Sequence, residues 1–60
     1  MQPISEAQFA SIVRRFDTVE TDGGTIYTKD DQPWEFKRTG SYLIVTHRTR
    51  PLPQRYFEIV

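Results

Sequence analysis

At Asp17 the spacing of apolar residues changes from that of a helix to that of a strand, and this change fixes the class of fold open to the chain. Before it, Phe9, Ile12, Val13 and Phe16 recur at i, i+3, i+4 and i+7, which sets four apolar side chains on one helical stripe. After it come short runs of alternating and β-branched residues, cut by Gly, Pro and Asp. One helix followed by several short strands predicts an α+β domain: an N-terminal helix packed on a four- to five-stranded antiparallel β-meander, or a partly closed small barrel.

The helix start is written into residues 4–9. Ser5 is a good N-cap and Gln8, three residues on, completes a capping box. Ile4 and Phe9 are spaced as a hydrophobic staple. The helix is expected from residue 5 or 6 to 16, with Glu6 in its first turn and Arg14 and Arg15 in its last, as the helix dipole favours.

Strands are expected at about 18–21, 25–29, 34–38, 41–49 and 55–60. Asp22-Gly23 suits a two-residue type I′ turn, which sets Val19 opposite Ile26. Asp30 and Asp31 fall in a turn before Gln32-Pro33, where local hydrogen bonding favours Asp. Between Trp34 and Thr49 a second hairpin is expected. A three-residue loop, Arg38-Thr39-Gly40, needs positive φ only at glycine and sets Phe36 opposite Tyr42 and Trp34 opposite Ile44. Leu43-Ile44-Val45 is apolar on both faces, so a single helix leaves one side of this strand in need of cover. Pro51-Leu52-Pro53 reads as a connector or an edge segment, because proline cannot donate to a ladder.

With 60 residues there is room for one core only. A chain this short buries only about 60% of its unfolded surface, so disulfides, metals or association commonly support such folds. The sequence has no Cys and a single His, so association is the support that remains. Residues 1–6 lack the basic and apolar regions of a signal peptide, and no apolar run approaches a membrane span. A cytoplasmic protein without membrane contact is therefore expected.

The charges cancel overall but are segregated. Residues 1–35 carry seven acids and three bases, whereas 36–57 carry five bases and no acid. The two halves are expected to attract each other, within a chain or between subunits of a homo-oligomer.

No catalytic signature emerges. A serine nucleophile would have only His47 to activate it, and a ribonuclease-like set (His47, Arg48, Arg50, Tyr56, Glu58) matches no spacing. Neither a cofactor nor a metal is expected. What stands out is compositional: rings beside cations from Trp34 onward. The chain is expected to be a non-enzymatic inhibitor, adaptor or accessory subunit. Its partner-binding residues would be Trp34, Lys37, Arg38, Tyr42, His47, Arg48, Arg50, Arg55 and Tyr56, meeting a protein with an acidic surface. Nucleic acid is the alternative partner, because stacking rings beside backbone-neutralising cations are also the recipe for RNA or single-stranded DNA.

Overall fold

A computed structural model describes residues 2–51 and 53–60. It contains β1 (Gln2–Ile4), α1 (Glu6–Val13), β2 (Asp17–Thr21), β3 (Gly24–Thr28), β4 (Trp34–Thr39), β5 (Tyr42–His47) and β6 (Arg55–Ile59). The strands form one open sheet in the order β1-β6-β5-β4-β3-β2. The domain is α+β as expected, but with six strands and no barrel closure. Leu52, in the expected proline connector, lies outside the described residues. No helix among the described residues is long and apolar enough to cross a membrane.

The additional strand is β1, which pairs in parallel with β6 and sets Gln2 beside Phe57 and Ile4 beside Ile59. Its three residues are too few to show a period, and Pro3 argues against an interior strand. At a sheet edge, however, the missing N–H of proline costs nothing. The pairing runs on into the helix cap: Val60 N donates to Ile4 O (2.8 Å) and Glu6 N donates to Val60 O (3.2 Å).

The capping box forms as read from the sequence, with Gln8 N donating to Ser5 Oγ at 3.1 Å and Ser5 N to Gln8 Oε1 at 2.8 Å. The helix ends at Val13, earlier than expected, so Arg14 and Arg15 follow its last turn rather than occupying it. Phe16 N donates to Val13 O (2.9 Å), a tightening that aims the Phe16 ring edge-on at Phe36, centroids 5.2 Å apart. Burial of that ring against the sheet thus outweighs continuation of the helix.

In the β2–β3 hairpin Val19 does pair with Ile26. The turn is not type I′, though, because neither Asp22 nor Gly23 has a positive φ; that conformation falls on Gly24, at φ 137°. The β4–β5 register also differs from expectation. Thr39 pairs with Tyr42, Phe36 with Val45 and Trp34 with His47, so the loop is the two residues Gly40-Ser41. Gly40 at φ 61° is the first loop position, the pattern of a type II′ turn, which fits the strand twist without a bulge.

The core lies between α1 and one face of the sheet. Phe9, Val13, Leu43 and Ile59 are buried, with Ile4, Tyr27, Phe36, Val45 and Phe57 packed around them. Leu43, at 1% exposure, is the one side chain wholly enclosed among the described residues. The other face of the sheet, including Ile44, has no layer over it among the described residues.

Candidate interaction groove

An eight-residue helix is only about 12 Å long, whereas six strands span about 24 Å. Part of the sheet's inner face is therefore left open. The helix is drawn toward β3 by Phe9, whose ring meets Tyr27 edge-on at 5.5 Å. Beside it runs a groove of about 340 Å³ bounded by Ile4, Ile12, Trp34, Phe36, Leu43, Val45, Phe57 and Arg55. A smaller depression of about 180 Å³, lined by Trp34, Val45, His47, Pro53 and Arg55, continues it past the Trp34 ring. Trp34 is 41% exposed and Ile12 39%, so the two lips of the groove are apolar and wet.

Arg55 is the sole charged side chain lining either depression. Among the described residues its guanidinium makes no hydrogen bond or ion pair. An apolar trough of this kind has room for an apolar group, and the unspent cation at its rim can pair with a carboxylate.

His47 holds one wall in place. Its ring meets Trp34 edge-on at 5.1 Å, and Nδ1 accepts from the backbone N–H groups of Thr49 (3.2 Å) and Arg50 (3.0 Å). That leaves the proton of the neutral ring on Nε2. The imidazole thus ties the start of the β5–β6 connector to the end of β5.

The residues expected to share one surface divide among several places. Trp34, Arg38, His47 and Arg55 belong to the helix-covered face, through the pairs Trp34–His47, Arg38–Leu43 and Val45–Arg55. Lys37, Tyr42 and Tyr56 point from the opposite face, since Lys37 pairs with Ile44, Ile44 with Tyr56 and Tyr42 with Glu58. Arg50 follows β5 at the sheet's end.

Two of the cations are spent internally. Arg38 reaches Glu6 at 2.8 and 3.4 Å, donates from Nε to Gly40 O at 3.1 Å and lies 4.8 Å from the Phe9 ring centroid. This ion pair joins one acid of the acidic half to one base of the basic half within the chain. Arg48 donates from its side chain to the carbonyls of Lys29 (2.9 Å) and Gln32 (3.3 Å), stapling the β3–β4 turn.

The groove residues the sequence did not single out for a site are Ile12, Val45 and Phe57, and Phe36 counted only among the rings of the nucleic-acid alternative. Their apolar spacing marked them for burial, and only the shortness of α1 uncovers them. The catalytic components considered above are dispersed as well: Glu58 stands beside Tyr42 at the Gly40 end of the sheet, and His47 at the other end.

Comparison with family models, curated proteins and solved structures finds no match to this chain.

Proposed function

We propose that the chain is a non-enzymatic binding module, an inhibitor, adaptor or accessory subunit, that seats an apolar anchor of a protein partner in the groove beside α1. The observation that supports this reading is the pairing of an uncovered apolar trough with Arg55 at its rim. The partner's anchor would be an aromatic or aliphatic side chain next to an Asp or Glu. Trp34 supplies rigid contact area at one lip and Arg55 the charge that sets orientation. Arg38 and Arg48 are support for the scaffold in this reading, and Lys37, Tyr42 and Tyr56 stand outside it.

A tagged chain is expected to retrieve one dominant protein from native lysate. In titrations of that protein, Trp34→Ala should weaken binding by about 2 kcal/mol, near thirtyfold. Arg55→Glu should weaken it at least as much, and Thr46→Ala, on the opposite face, should leave it unchanged. Full affinity in both groove variants would remove the groove from the interface. Capture of RNA or single-stranded DNA instead, lost steeply as salt rises, would assign the chain to nucleic acid.

A further inference from the structure

The face of the sheet turned away from α1 carries a continuous row across five strands: Val19, Ile26, Lys37, Ile44 and Tyr56, each paired with the next. Val19 is 51% exposed and Tyr56 47%. Lys37 does not interrupt the row, because its amine is drawn to the end of the sheet. A Cβ on Gly23 would lie 2.9 Å from Lys37 Nζ and 3.4 Å from its Cε. The lysine therefore runs its aliphatic stem from the row along the strands and holds its charge over the β2–β3 turn.

We propose that this face packs against the same face of a second copy, forming a two-sheet sandwich about a two-fold axis that runs along the strands between β4 and β5. Such an axis carries β4 over β5 of the other copy and β6 over β3, while residues keep their height along the strands. Ile44 then meets the Lys37 stem, and Tyr56 meets Ile26. Glu58 stands level with Tyr42 and Thr39, so it comes over the turn where the other copy's Lys37 ammonium sits. The symmetry makes this ion pair twice, and Lys37 does not meet its own image. The zero net charge of the chain adds no repulsion.

A sheet patch of this size has a footprint of about 450 Å², and with side-chain relief two copies bury about 1,000 Å² in total, the lower end for a specific interface. The dimer is accordingly weak and concentration-dependent. This proposal is independent of the groove, which stays open in the dimer.

The test is sedimentation equilibrium of the full chain from about 10 µM to about 1 mM, together with amide chemical shifts across the same range. Expected is a monomer–dimer equilibrium whose shifts concentrate on β3, β4, β5 and β6. Lys37→Glu and Glu58→Lys should each weaken it about tenfold or more, and the double variant should return the constant to near that of the wild type. A chain that stays monomeric throughout overturns the proposal. So does a dimer whose shifts map to the β2 edge or to Trp34 and Arg55, or one that the charge exchange does not restore while all variants keep the wild-type fold by circular dichroism.

Discussion

Leu43→Ala is expected to lower the urea midpoint of unfolding by about 2–4 M, followed by the fluorescence of Trp34, the only tryptophan. Leu43 is wholly enclosed, on a central strand and packed with Phe9 and Val13. Truncation removes its transfer free energy and leaves a cavity that a sheet on one side and a tethered helix on the other cannot close, at a cost of about 2–5 kcal/mol. A chain of this length holds about 3–9 kcal/mol in all, so the loss consumes much of it. Ile12→Ala supplies the comparison. Its side chain is apolar and on the helix that covers Leu43, but 39% exposed at the groove lip, and its truncation should cost about 1 kcal/mol or less. Equal costs for the two variants would mean that the core is not centred on β5.

The parts of this fold that could be read from the sequence are those fixed by neighbouring residues. The capping box depends on Ser5 and Gln8, and the Val19–Ile26 pair on a two-residue loop; both needed only local chemistry. What eluded reading was settled at longer range. The helix stops at Val13 because Phe16 finds Phe36, twenty residues on. β1 exists because β6, at the other end of the chain, offers it an edge.

The face that the β5 members of the expected binding surface take follows from one loop, whereas Lys37 lies on the face opposite Trp34, and Tyr56 on the face opposite Arg55, by strand alternation alone. With Arg38-Thr39-Gly40 as the turn, Tyr42 and Ile44 would share a face with Trp34 and Phe36. With Gly40-Ser41 the pairing slips by an odd number of residues, and every β5 side chain changes face. His47, Val45 and Leu43 come to Trp34, while Tyr42 and Ile44 go to the open side. Composition drew attention to rings and cations, but it does not distinguish a free guanidinium from one already held by carbonyls or by Glu6. Arg55 is distinguished from Arg38 and Arg48 only by the acceptors that surround the latter two. The groove itself is a matter of lengths: an eight-residue helix cannot roof a six-stranded sheet.

The three glycines should separate sharply on substitution by alanine, with Gly24→Ala the most damaging. At Gly24 two demands coincide. Its φ of 137° lies where side chains are strained, and an added Cβ would run into the carbonyl of Arg38 on the neighbouring strand. The strain and the overpacking together cost about 2–6 kcal/mol. The carbonyl belongs to the β3–β4 ladder, so relief requires β3 to leave β4, which carries Phe36 and Arg38. Gly40 has positive φ but nothing within 4 Å of an added Cβ, so Gly40→Ala carries backbone strain alone, about 1–2 kcal/mol. At Gly23 φ is ordinary and the nearest obstacle is the mobile end of Lys37, which can move aside. Thermal unfolding should thus show Gly23→Ala close to the wild type, Gly40→Ala lower by about 5–10 °C, and Gly24→Ala lower by more than about 10 °C or without a cooperative transition. If Gly24→Ala melted with Gly23→Ala, the close approach of the β2–β3 turn to Arg38 would not exist in solution, and with it would go the placement of Lys37 over that turn.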